Sequence, residues 1–120
     1  MDFKYMGIEF SGKKVEFELR DSLSFNDMVR NYKSSYISFS KTYHIIKGGI
    51  TGAEPQEIFN NYLQEAEWER MIILYQLQTV YNVKKMEDYI MSCYPEIITS
   101  WMGTSEINKE GDNYIYFLMK

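Results

Sequence analysis

Cysteine is almost missing from this sequence. Cys93 is the only one in 120 residues, so no disulfide can close within the chain, and a reducing, cytoplasmic setting is expected. His44 is likewise the only histidine, which leaves too few His/Cys ligands for a zinc site. Proline occurs twice and glycine seven times. With no low-complexity run, internal repeat or breaker-rich linker, residues 1–120 read as one domain. Long apolar runs are absent too. The longest, Met71–Tyr75, is far short of the roughly 20 residues that span a bilayer. The opening MDFKYMGIEFSGKK lacks a basic stretch followed by an apolar run, so neither a signal peptide nor a membrane anchor is expected there.

Apolar and aromatic side chains are abundant. Hydrophobic residues make up 45% of the chain and aromatics 17%, too much for a natively disordered polymer and enough for one core. Eleven Tyr and eight Met accompany Ala at only Ala53 and Ala66. An AT-rich coding sequence produces the same skew, so the tyrosine excess is not by itself functional. Charge is unevenly spread. Residues 1–50 hold eight Lys/Arg against six Asp/Glu, a net of +2, and residues 51–120 hold five against eleven, a net of −6. An acidic chain of pI about 5.0 is a poor match for nucleic acid and a better one for a basic protein surface.

The pattern predicts an α+β fold of order roughly ββαβααβ, with a mainly antiparallel sheet and helices packed on one face. Residues 3–10 and 15–20 alternate around the Ser11-Gly12-Lys13-Lys14 turn and read as a hairpin, with Val15, Phe17 and Leu19 inward and Glu16, Glu18 and Arg20 outward. Ser24, followed by Asp27, opens a short amphipathic helix through Phe25, Met28, Val29 and Tyr32 that ends near Ser34-Ser35. Residues 36–46 switch to period two and predict a middle strand. A loop at 47–55 leads to Pro55, which suits a helix's first turn. One long helix over 55–81 and another over 83–94 are expected next. Tyr94-Pro95 breaks the second, PEIITSWM forms a further short helix, 104–113 form a polar loop, and NYIYFLMK forms a closing strand beside the N-terminal hairpin.

No catalytic or cofactor signature emerges, and a non-enzymatic protein without cofactor is expected. The Gly48–Gly52 loop sits where phosphate sites form, but it lacks the GK[ST] ending of a Walker loop. Glu54 and Glu57 nearby would also repel phosphate. Cys93 falls on the apolar side of its helix and reads as core rather than as a nucleophile paired with His44. Glu65, Glu67, Glu69, Glu87 and Asp88 read first as a solvated stripe, with no Asp-rich loop for a cation. Lys13-Lys14 and Lys84-Lys85 beside aromatics could stack single-stranded bases, though acidic residues surround them.

The sharpest feature is EAEWERMIILYQL, residues 65–77. On a helical wheel Phe59, Tyr62, Leu63, Ile73, Leu74, Leu77, Val80 and Tyr81 form a core stripe, with Arg70 as a polar intruder. Trp68, Met71, Ile72 and Tyr75 form a second patch rimmed by Glu65, Glu67 and Glu69. Either another element covers this patch or a partner does. The functional expectation is an acidic protein-binding module, of the inhibitor or immunity type that phages and mobile elements encode. Its target would be a protein with a basic surface, or a second copy meeting the Trp68/Tyr75 patch. The alternatives are a small-ligand or nucleotide-binding domain using Gly48–Gly52 and, behind it, a nucleic-acid-associated protein.

Overall fold

Strand β3, Arg70–Leu77, organises the molecule. Its residues Met71–Tyr75 are all buried, and their side chains divide between two cores. Ile72, Leu74 and Tyr75 join one cluster, and Met71 and Ile73 join the other. The apolar run that looked like a two-faced helix is therefore a strand covered on both faces. Such strands read as unbroken hydrophobic runs because neither side meets water. Helix propensity in Leu, Met and Gln lost to this burial, worth about 1.5–3 kcal/mol for each large apolar side chain. A register shift between Ile73 and Tyr75 marks a bulge. It puts Leu74 and Tyr75 on the same side despite their adjacency.

The computed structural model describes residues 13–19, 24–97 and 111–120. Among these, strand β1 is Glu16–Phe17, helix α1 is Phe25–Ser40, strand β2 is Ile46–Thr51 and helix α2 is Pro55–Glu65. After β3 come helix α3, Val80–Cys93, a 3₁₀ turn at Pro95–Ile97 and strand β4, Asn113–Met119. The sheet order is β1-β3-β4-β2. β1 runs parallel to β3, and β4 lies antiparallel to both β3 and β2. The α+β expectation holds, and the sheet is mainly antiparallel as expected, though mixed: two of its three pairings are antiparallel and one is parallel. β4 sits in the centre and not beside β1. The 3–10 arm of the expected hairpin lies outside the described residues, as do Arg20, residues 98–102 of the expected short helix and residues 104–110 of the expected loop.

Helices cover both faces of the sheet. Met28 and Tyr32 of α1 and Val83, Met86 and Ile90 of α3 pack with Ile50, Ile115 and Phe117 on the first face. Ile58, Phe59 and Tyr62 of α2 pack with Tyr116 and Leu118 on the second. α1 starts as its sequence predicts, with the Ser24 hydroxyl accepting from the Asp27 N–H at 3.2 Å. It continues to Ser40 instead of stopping at Ser34-Ser35. Tyr36 and Phe39 extend the same three-and-four spacing and pack on the first core, which overrides the β preference of Ile37 and Phe39. The middle strand is accordingly displaced to Ile46–Thr51 and takes in residues 47–51 of the expected loop, which leaves 52–54 as the connector to α2.

The long helix predicted over 55–81 ends at Glu65. Pro55 occupies its first turn as expected, and the Glu54 carboxylate caps it by accepting from the Gln56 N–H at 3.1 Å. Ala66 is extended, with φ −160° and ψ 170°, and carries the chain into β3. The strand expectation for the C-terminal residues and the break at Tyr94-Pro95 both hold.

Candidate functional site

Of the residues singled out on the wheel, Glu67, Trp68 and Glu69 lie in the connector Ala66–Glu69, Glu65 closes α2, and Met71, Ile72 and Tyr75 belong to β3. Trp68 is buried in the second core, its ring edge-on to Tyr62 at 6.4 Å between centroids. The Lys120 ammonium lies 4.9 Å from the centre of the Trp68 ring, close enough for a cation–π attraction. The Lys13 ammonium donates to the Trp68 carbonyl, and the Glu69 N–H donates to the Met119 carbonyl at 2.8 Å. A loop pinned at so many points holds its other side chains outward. Glu65, Glu67 and Glu69 are all exposed.

The expected patch of Trp68, Met71, Ile72 and Tyr75 is not a surface. Met71 and Trp68 pack on the second core and Ile72 and Tyr75 on the first, so no single partner or second copy could touch all four. A strand alternates its side chains across the sheet, whereas the wheel had grouped them on one side. The three acidic rim residues are all exposed; the apolar anchors are divided.

Exposed apolar residues occur instead on the neighbouring edge. Phe17 is 54% and Leu19 51% exposed. The alternation in VEFELR is real, but its supposed inward face is only partly covered. Val15 packs on the second core, while Phe17 meets Tyr114 edge-on at 6.3 Å. The supposed outward carboxylates are held. Glu16 accepts two hydrogen bonds from Arg70, at 2.9 Å from Nε and 2.8 Å from Nη2, and Glu18 accepts one at 3.2 Å. The bonded guanidinium holds the Glu16 carboxyl below its usual range. Arg70, the intruder of the wheel, is thus the clamp that ties β1 to β3.

Arg70 also reaches across the first face. Its Nη1 donates to the Tyr43 hydroxyl at 3.0 Å. Tyr43 borders an open cleft of about 280 Å³, lined also by Tyr36, Ser40, His44, Lys47 and Glu96. The cleft lies where the end of α1, the start of β2 and the 3₁₀ turn meet. Nothing in the sequence spacing brings Glu96 to residues 40–47, so this site was not legible there.

The remaining candidates separate. Cys93 is exposed, not core, and it is not among the residues lining the cleft that holds His44. Residues 48–51 of the Gly48–Gly52 segment are strand rather than loop, with only Gly52 beyond it: Gly48 and Gly49 pair with Phe117 and Tyr116 of β4. Tyrosine rings fill the space their missing side chains leave. A Cβ at Gly48 would stand 2.6 Å from the Tyr32 hydroxyl, and one at Gly49 2.4 Å from that of Tyr116. Lys85 sits over the rings of Phe25 and Tyr81, at 4.5 and 5.1 Å. Glu87 is buried 4.0 Å from Lys84, while Asp88 is exposed. Among the described residues, no group of three or more His, Cys, Asp or Glu is placed to hold a metal ion. No helix there is long and apolar enough to cross a membrane.

No family model, curated protein or solved structure matches the chain.

Proposed function

We propose that the chain is a protein-binding module that meets its partner along the β1 edge and the acidic connector. The observation that carries this reading is a pairing of features. Two large apolar side chains more than half exposed, Phe17 and Leu19, belong to the segment whose Lys13 is bonded to the connector bearing exposed Glu67 and Glu69, just after exposed Glu65 at the end of α2. Apolar anchors with a charged rim are what protein interfaces are made of. The carboxylates would steer a basic surface toward the edge and set the salt dependence of association. Tight fixing of the connector by Trp68 supports the same reading, since a preorganised rim loses little freedom on binding. An inhibitor or immunity-type role of the phage or mobile-element kind is the setting that such a small acidic binder fits.

The test compares capture from host extract by the native chain with capture by two variants. One changes Glu65, Glu67 and Glu69 to Lys; the other changes Phe17 and Leu19 to Ser. A protein retained by the native chain and lost with each variant, while both variants keep the native melting temperature within a few degrees, is the expected result. Retention of the same proteins by all three forms would sink the assignment to this edge.

A further inference from the structure

We infer, resting on the edge interface proposed above, that the partner docks there as an added strand: an extended segment of alternating apolar and basic residues that pairs antiparallel with Phe17–Leu19. The sheet has two edges, β1 and β2. β2 is buried from Gly48 to Thr51, whereas Phe17 and Leu19 are more than half exposed. An accessible edge with free backbone groups is a template for another chain.

The register shows which groups are free. Glu16 and Phe17 lie beside Ile72 and Ile73 in parallel, and the Glu18 N–H donates to the Ile73 carbonyl at 3.0 Å. Successive peptide groups of a strand point to opposite edges. The backbone of Glu16 and Glu18 therefore serves β3, and that of Phe17 faces away from the sheet. Val15, the previous residue on that outer side, has its N–H bonded to the Gln56 carbonyl oxygen at 2.9 Å. The Gln56 amide nitrogen donates to the Lys13 carbonyl at 3.1 Å. One side-chain amide thus makes the two bonds that a peptide group of a neighbouring strand would make. It closes the edge over residues 13–15, so the first open position is the Phe17 N–H and carbonyl. Among the described residues nothing bonds to them.

Side chains set the sequence of the incoming strand. Phe17 stands on the second face beside Tyr114, 6.3 Å between ring centroids, and an apolar residue paired with it covers that surface. The positions on either side of that residue face Glu16 and Glu18, where a basic side chain is favoured and an acidic one opposed. At the Lys13 end of the segment, exposed Glu65, Glu67 and Glu69 form no ion pair among the described residues. Positive charge is favoured at that end as well. The same carboxylates disfavour a second copy. Antiparallel two-fold pairing of Phe17 with Phe17 sets Glu18 of one copy against Glu16 of the other, and pairing of Phe17 with Leu19 sets Glu18 against Glu18.

The probe is the blocked peptide acetyl-Lys-Val-Lys-Val-Lys-amide, titrated into full-length protein and followed by backbone amide resonances. Saturable shifts at the Phe17 and Leu19 amides are expected below about 5 mM, the range of weak millimolar binding. In the antiparallel arrangement both valine N–H groups point at β1 and the lysine N–H groups point away. N-methylation of both valines should therefore weaken binding about tenfold or more, through the loss of two hydrogen bonds. N-methylation of two lysines should change it by less than about threefold, since no bond to β1 is removed. The peptide acetyl-Glu-Val-Glu-Val-Glu-amide should bind at least about tenfold more weakly, because its charges oppose those of the edge. No saturable shift, shifts at Gly48 and Ile50 in place of Phe17, or equal weakening by the two kinds of N-methylation would overturn strand addition. The protein is unchanged throughout, so misfolding cannot imitate a loss. Capture lost when Phe17 and Leu19 become Ser, with equal binding of the two N-methylated peptides, would leave the edge interface standing without the added strand. Capture kept by that variant would remove the edge interface itself.

Discussion

The two faces of the sheet solve the same problem, burying one side of β2, β3 and β4, with different chemistry. On the first face α1 and α3 cover a core dense in rings. Tyr32 lies 4.6 Å from Phe117, 5.4 Å from Tyr94 and 6.0 Å from Tyr89, centroid to centroid. Its hydroxyl is fully buried with no hydrogen-bond partner among the described residues, and burial pushes its ionisation well above the ordinary tyrosine range. On the second face α2 is the one helix among the described residues that covers a smaller core. There the Tyr62 and Tyr116 hydroxyls bond each other at 2.9 Å. One face tolerates an unpaired polar atom to gain ring packing; the other keeps its polar atoms satisfied. A tyrosine-rich composition can therefore mean two things in one molecule: an aromatic filler or a buried hydrogen-bonding pair.

The adjacent glycines of β2 are where this contrast is sharpest, and they should give the largest effects. Gly48 faces Tyr32 on the first face and Gly49 faces Tyr116 on the second. In Gly49→Ala the new methyl would meet the Tyr116 hydroxyl at 2.4 Å and ring carbons at 2.5 and 3.0 Å, so a whole fully buried ring must move. A loss of about 3 kcal/mol is expected, the upper end for overpacked cores. Gly48→Ala meets mainly the tip of Tyr32, with the Ile97 side chain next at 3.2 Å, and should lose about 1–2 kcal/mol. Urea unfolding in double mutants separates the cases. Tyr32→Phe should rescue most of the Gly48→Ala loss, because it removes the 2.6 Å contact. Tyr116→Phe should rescue little of the Gly49→Ala loss, because the ring carbons remain. Equal rescue on both faces would break the comparison.

The tyrosine hydroxyls themselves should differ in sign. Tyr116→Phe removes the 2.9 Å bond to Tyr62 and should cost about 1 kcal/mol in unfolding free energy. Tyr32→Phe removes a buried hydroxyl that bonds nothing among the described residues. It should be neutral or stabilise by up to about 1 kcal/mol. A clear loss of stability in Tyr32→Phe would mean that the hydroxyl has a role beyond filling the space left by Gly48.

These pairs also explain what the sequence could disclose. The composition and the flanking patterns were enough for the α+β class, the α1 start at Ser24, the α2 start at Pro55, the α3 stop before Pro95 and the C-terminal strand. β3 was misread because a helical wheel always sorts apolar residues into stripes, even when the chain is extended. The five-residue run Met71–Tyr75 was itself the strand signal, and it required only that both faces be covered. Gly48-Gly49 looked like a loop because the two tyrosines that need the space are 16 and 67 residues away in the chain. The acidic rim was legible, since charge shows in the sequence. The Arg70 clamp and the cleft were not, because long-range contacts such as Glu16 to Arg70 leave no local spacing.

The weakest expected effect concerns that clamp, and it tests whether β1 is attached as firmly as the covered strands. Glu16 has its ionisation lowered by Arg70, so its ionised form stabilises the fold. That contribution is present above its ordinary value of 4.5 and is lost as pH falls below it. With Glu16 41% and Arg70 32% exposed at their side chains, solvent screening keeps the contribution under about 1 kcal/mol. Glu16→Gln should therefore flatten the fall in stability below pH 4.5 while changing neutral-pH stability only slightly. Local opening should be the more sensitive readout. The Glu18 N–H donates to the Ile73 carbonyl at 3.0 Å, and its hydrogen exchange should quicken in Glu16→Gln while amides of β3 and β4 stay protected. If β4 amides quickened equally, β1 would belong to the cooperative core, and the edge would be a part of the sheet rather than a surface held against it.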